Sequence, residues 1–176
     1  MSSIITIRRI KLVLLVLGFL STMMLFFPSL IGRDSDTVYK GYEIAFGVEV
    51  AGFEELINGV FKFNFLNLIA YLLPLIAGIV AILVRRGELI SLLLFLASSV
   101  LLFLVPEFTK ITINVLGNTM TREVSWSYSY GLIIAIILSI ISALICIYKL
   151  VYFEDRKWSQ KLSLLTFLFD ISFRFY

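Results

Sequence analysis

The sequence predicts a membrane all-α fold: a bundle of four transmembrane helices with a small extracytoplasmic β-sheet contributed by the two outer loops. Three observations predict it. Of the 176 residues, 60% are hydrophobic and 15% charged, and the mean hydropathy is +1.02, outside the range of soluble domains. Four stretches hold no charged residue at all: Leu12–Ile31, Phe63–Val84, Leu89–Pro106 and Val124–Tyr148. The two long segments, Gly32–Lys62 and Glu107–Glu123, contain runs that alternate apolar and polar residues with the period of a strand.

At about 1.5 Å per residue, even the shortest uncharged stretch covers roughly 27 Å, close to the ~30 Å hydrocarbon core. Backbone amides in hydrocarbon need internal partners, which leaves helices or a closed barrel, and runs this uniformly apolar are not barrel strands. The chain therefore reads as one membrane domain, residues 1–176. Its helices lie over about 11–31, 63–84, 88–106 and 129–152, its outer loops over 32–62 and 107–128, and a cytoplasmic tail over 153–176.

Arg8, Arg9 and Lys11 precede the first apolar run in the manner of a secretory signal. In PSLIGRD, however, Leu30 or Ile31 stands where a cleavage site needs a small residue, so an uncleaved helix is expected. With the N-terminus inside, the cytoplasmic positions hold Arg8, Arg9, Lys11, Arg85, Arg86, Lys149, Arg156, Lys157, Lys161 and Arg174. The outer loops keep Arg33, Lys40, Lys62, Lys110 and Arg122. This bias places both termini in the cytoplasm and accounts for the basic balance without any nucleic acid.

The first outer loop contains GYEIAFGVEV, where Tyr42, Ile44, Phe46, Val48 and Val50 alternate with Glu43, Ala45, Gly47 and Glu49. Gly41–Val50 is expected as the central strand of the outer sheet. Phe53–Gly59 is expected as a short helical turn, and Phe61–Phe63 continues the alternation. In the second outer loop Ile111, Ile113 and Val115 alternate with Lys110, Thr112 and Asn114, which predicts another strand. Val124–Tyr130 has two readings, a further strand or the outer end of helix four with its aromatics at the interface. The outer faces of Tyr42, Glu43, Phe46, Glu49 and Trp126 are the candidate interaction positions.

Helix two carries Ala70, Pro74 and Gly78 on one face, and Pro74 removes a backbone donor and predicts a kink. Arg85-Arg86-Gly87-Glu88 makes a tight inner hairpin to helix three. In helix four Gly131, Ala135, Ser139 and Ala143 recur every four residues, a small-residue face that allows close helix packing in lipid. The mid-span polar groups are the hydroxyls of Ser98, Ser99, Ser139 and Ser142, with Asn64 and Asn67 near the outer edge of helix two, and helix packing is their expected role. The tail after Lys161 is largely apolar with Asp170 and Arg174 interspersed, and too short and charged to cross again, so an interfacial helix on the inner leaflet is expected, with partner docking as the competing reading.

Four helices, a large stranded first outer loop and a short inner hairpin together resemble the claudin-like, tetraspan layout. The claudin loop signature of tryptophans and paired cysteines is missing, because the tryptophans are Trp126 and Trp158 and the single cysteine is Cys146 in helix four. GYEIAFG followed by FKFNFLNLIAYLLPLIAGIVAIL also resembles a pattern of small four-helix membrane proteins of Firmicutes and Mollicutes, over about residues 41–83. That group brings no assigned activity, and the single cysteine and the lack of any N-x-S/T sequon fit a bacterial plasma membrane protein better than a eukaryotic surface protein.

Histidine is absent, which removes the commonest general base and metal ligand together. No P-loop, dinucleotide turn or zinc spacing occurs. Asp34 and Asp36 with Glu43 or Glu49 offer carboxylate oxygens to a calcium ion, but their spacing matches no EF-hand loop. No cofactor, metal site or catalytic residue is expected. The function expected is non-enzymatic: a structural or accessory membrane protein that recognises another membrane or envelope protein, or its own copy, through the outer sheet. Three alternatives remain. They are an oligomeric channel or transport subunit lined by hydroxyls, an immunity-type membrane protein, and an interfacial enzyme using Glu43, Glu49 or Glu107.

Overall fold

The computed structural model describes residues 2–33, 37–50, 57–84, 87–115, 118–122 and 125–151. Four of its helices are long and apolar enough to cross a membrane: one over Arg8–Phe26, then Phe65–Leu83, Glu88–Phe108 and Tyr130–Val151. The chain is thus a multi-pass membrane protein, mostly helical, with a small β cap.

Helix α1 runs Ser2–Met23 and tightens into a 3-10 turn at Met24–Phe26. The apolar run continues to Ile31, but the helix does not. Pro28 supplies no amide hydrogen and forces its predecessor out of the helical region, and Phe27 is extended at φ −101°, ψ 161°. Strand β1, Pro28–Gly32, follows directly. It is the centre of a three-stranded sheet, flanked by β2 (Val38–Lys40) and β7 (Trp126–Tyr128), both antiparallel to it.

The segment Gly41–Val50 departs from expectation. It is not a central strand: Gly41–Phe46 is a short helix, α2, and only Glu49–Val50 is extended, as the edge strand β3. Gly41, Ile44 and Ala45 are the buried residues, a set spaced three and four apart, which is the helical period. Glu43 accepts from the Lys40 amide at 2.8 Å and caps the first turn. A six-residue apolar pattern satisfies either period, and the tertiary site for Ile44 and Ala45 selects the helix.

The second sheet is four-stranded and antiparallel, in the order β3, β4 (Ile57–Phe61), β5 (Ile111–Val115) and β6 (Asn118–Arg122). Strands β4 and β5 are central and pair Ile57 with Val115 through Phe61 with Ile111. Ile111–Val115 is therefore a strand, as its alternation predicts. Of the predicted helical turn Phe53–Gly59, residues Ile57–Gly59 are strand and the rest lies outside the described residues, as do Asp34 to Asp36 and the tail beyond Val151.

Within the bundle, α3 (Phe65–Leu83) packs on both α1 and α4 (Glu88–Phe108). The approach to α1 is close. A Cβ on Gly18 would overlap the carbonyl oxygen of Pro74, and one on Gly78 would lie 2.9 Å from the Cα of Leu15. Helix α5 (Tyr130–Val151) turns Ala135, Ser139 and Ala143 inward, all buried. At the end opposite the cap, the Lys149 ammonium pairs with Glu88 Oε1 at 2.6 Å, and Lys11 donates to the Val84 carbonyl at 3.3 Å.

Candidate functional site

The cap sits on the ends of α1, α3 and α4 and is tied to them by side chains such as Trp126 and Asn64. Its centre is a trio of aromatic rings drawn from three strands. Tyr39 of β2 meets Phe61 of β4 edge-on at 4.9 Å and Trp126 of β7 edge-on at 5.7 Å, and Phe61 and Trp126 lie 5.6 Å apart. Phe61 belongs to one sheet and Tyr39 and Trp126 to the other, so the trio is the junction between them. Edge-to-face aromatic pairs contribute about 0.5–1.5 kcal/mol beyond their burial. The Tyr39 phenol is held above its ordinary value chiefly by burial and also by the Glu43 carboxylate, with the bond to the Thr37 side chain pulling the other way.

Below the trio, polar groups fasten the cap to the helix ends. Trp126 Nε1 donates to the Thr109 carbonyl at 2.8 Å, immediately after α4. The Thr109 hydroxyl donates to the Val105 carbonyl at 2.8 Å and accepts from Asn67 Nδ2 at 2.9 Å. Asn64 caps α3, accepting from the amides of Leu66 and Asn67, and donates from Nδ2 to the Phe108 carbonyl at 2.7 Å. One asparagine thereby starts α3 and binds the end of α4.

The interior hydroxyls are engaged in the same way. Ser98 donates to the Ala70 carbonyl at 3.1 Å, and Thr22 to the Tyr71 carbonyl at 2.8 Å. Ser21 donates to the Ala135 carbonyl at 3.1 Å and stands 3.2 Å from the Ser139 hydroxyl. Tyr71, fully buried, donates to Ser29 at 2.7 Å, and Ser29 donates on to the Phe27 carbonyl at 3.2 Å. Ser99 and Ser142 bond carbonyls of their own helices. Among the described residues, the buried oxygens Asn67 Oδ1 and Ser91 Oγ have no hydrogen-bond partner.

No family model, curated protein or solved structure matches the chain. Its site is therefore read from geometry alone.

The candidate outer positions do not form one patch. Tyr42, Glu43 and Phe46 ride on α2, Glu49 is exposed on β3, and Trp126 is half-buried in the ring trio. Glu43 is occupied by the Lys40 amide and accepts from the Tyr42 hydroxyl at 3.2 Å. Phe46 is exposed. Of the small-residue positions, Gly131 backs onto the β1 chain, where a Cβ would overlap the Pro28 carbonyl oxygen, and Ser139 faces Ser21 of α1. Ala70, Pro74 and Gly78 are buried in α3. Among the described residues no group of three histidine, cysteine, aspartate or glutamate side chains comes together.

Several contributors were not visible in the sequence. Tyr39, Thr109, Ser29 and Thr22 look like ordinary loop or helix-end residues, and their partners lie far along the chain. One signal was available: a proline inside an apolar span leaves the carbonyl four residues earlier without its helical donor, which pointed to Ala70 as a place needing a hydroxyl.

Proposed function

We propose that this chain is a non-enzymatic structural or accessory protein of a bacterial plasma membrane, with both termini cytoplasmic, that binds another membrane or envelope protein, or a second copy of itself, through its β cap. The observation that carries this reading is the fastening of the cap. Two sheets are locked to each other by Tyr39, Phe61 and Trp126 and to the helix ends by Trp126, Thr109 and Asn64. Ordering so much exported backbone costs conformational entropy, and a loop with no display role has no need of it.

The surface offered is the outer edge of the four-stranded sheet. Among the described residues strand β6 has a neighbour on one side only, and an extended partner segment adds to such an edge through main-chain hydrogen bonds. Exposed Glu49 stands on the opposite edge strand, β3. Trp126 and Glu43 act in this reading as supports of the cap. The claudin-like layout and the lysine and arginine bias support the topology, with the cap outside. The hydroxyls of Ser98, Ser99 and Ser142 donate to carbonyls, which weighs against their lining a pore.

Lysines placed on the edge strand, Thr119→Lys with Thr121→Lys, should abolish co-purification of a specific partner, or of a tagged second copy, from native membranes. Membrane insertion and thermal stability should be unchanged. An identical set of partners recovered with this variant would count decisively against the reading.

A further inference from the structure

Helix α2 lies between the ends of two spanning helices. Its first amide, Gly41 N–H, donates to the Phe27 carbonyl at 3.3 Å, just beyond α1, and the Ala45 carbonyl accepts from the Asn64 amide at 2.9 Å, just before α3. Six residues of helix measure about 9 Å, the usual distance between the axes of packed helices. Such a helix crosses from one span to its neighbour at the level where the spans end.

Its two faces differ. Gly41, Ile44 and Ala45 are buried beneath it. Phe46 is exposed on the other side, and Tyr42, four residues earlier, is half-buried at the edge of the core. Phe26 meets Tyr42 with ring centroids 6.3 Å apart, and Phe63 meets Phe46 at 6.4 Å. Phe26, Phe46 and Phe63 are 56%, 55% and 56% exposed. The Lys40 ammonium stands 5.8 Å from the centre of the Tyr42 ring, and Lys62 beside Phe63 is exposed. Phe63 stands two residues before α3, whose first residue, Phe65, is exposed as well.

We infer that the Phe26–Tyr42–Phe46–Phe63 row is a lipid-contacting surface that embeds α2 in the outer-leaflet boundary, with Lys40 and Lys62 set among anionic phospholipid headgroups. Four adjacent aromatics with flanking cations suit that layer, where rings favour the junction of acyl chain and headgroup and lysine heads reach water and phosphate. The continuity with the spanning helices points to lipid as the occupant, since α1 and α3 present their outer flanks to the same bilayer. The inference goes beyond the partner reading, which is tested on β6; failure at α2 leaves that test intact.

The test uses the whole chain with its single cysteine replaced, Cys146→Ala, in phosphatidylcholine vesicles with and without phosphatidylglycerol. Nitroxides are attached at Phe46→Cys and, separately, Phe63→Cys. Reference labels go at Glu49→Cys for water and Ile76→Cys for lipid. At both test sites the ratio of collisions with oxygen to collisions with a water-soluble nickel chelate should fall between the two references, several-fold above that at 49. A ratio equal to that at 49 overturns the inference, as does an immobile label reached by neither reagent, which would mean a protein cover. Spin-labelled phosphatidylglycerol should be immobilised by the chain more than labelled phosphatidylcholine. Lys40→Gln with Lys62→Gln should erase that difference, and its absence in the native chain would overturn the role given to the lysines.

Discussion

The hydroxyl of Ser98 donates to the carbonyl of Ala70 at 3.1 Å, and Ala70 is the residue whose carbonyl Pro74 leaves without a helical donor. One helix thus repairs the backbone of another. The neighbouring Tyr71 carbonyl receives the Thr22 hydroxyl from α1 at 2.8 Å, so α3 is gripped from both sides at its proline. In lipid no water is at hand to take over either bond.

Removing that donor should therefore matter. Ser98→Ala is expected to destabilise the bundle by about 1 kcal/mol, measured by steric trapping or by denaturation in mixed micelles. Pro74→Ala restores an amide at position 74, so the loss caused by Ser98→Ala should shrink in the double variant. Equal losses with and without Pro74 would refute the assignment.

Close approach of α1 to α3 depends on Gly18, where a Cβ would overlap the Pro74 carbonyl. Gly18→Val is expected to cost roughly 1–3 kcal/mol or more, because the obstacle is backbone and cannot rotate away. Gly18→Ala should show the same direction at smaller size. A wild-type melting profile for Gly18→Val would mean that the two helices do not meet as described.

At the end of the bundle opposite the cap, Glu88 and Lys149 form an ion pair with side-chain exposures of 19% and 4%. Glu88→Gln leaves the Lys149 ammonium buried without its counter-charge and should cost about 3 kcal/mol. Replacing both, Glu88→Leu with Lys149→Leu, should recover most of that loss. Circular dichroism melts in one detergent compare all three chains, and a double variant worse than the single would contradict a pairing role.

Tyr39 supplies a pH dependence. Its phenol is raised mainly by burial, so the folded cap holds the proton longer than the unfolded chain, whose value is about 10. The contribution is complete below about pH 10 and is lost as the pH climbs through the higher folded value. Tyr39→Phe should blunt the alkaline loss of cap protection, followed by amide exchange at Ile111–Thr112. An unchanged alkaline profile would show that Tyr39 does not ionise within the cap.

How far the chain could be read from its residues differs by element. Four long uncharged stretches can hardly be anything but spanning helices, and the alternation at Ile111–Val115 is a strand in the structure too. The apolar stretch predicts the first helix through Ile31, yet Pro28 ends it and opens β1. Gly41–Phe46 shows the opposite problem. Its pattern satisfies both periods, and the choice falls to where Ile44 and Ala45 find cover. At the candidate site, Trp126 stood out as one of two tryptophans, whereas Tyr39 and Thr109 were invisible because each acts through a partner remote in sequence.

What the sequence determined by itself is the existence of four long apolar helices: hydropathy and charge mark the stretches, and only a helix satisfies its amides alone in hydrocarbon. What the tertiary structure decided is which outer segments pair and which hydroxyl meets which carbonyl. Strand partners, the Tyr39–Phe61–Trp126 junction and the Ser98–Ala70 bond join residues tens of positions apart, and such pairings depend on three-dimensional fit that no local pattern encodes.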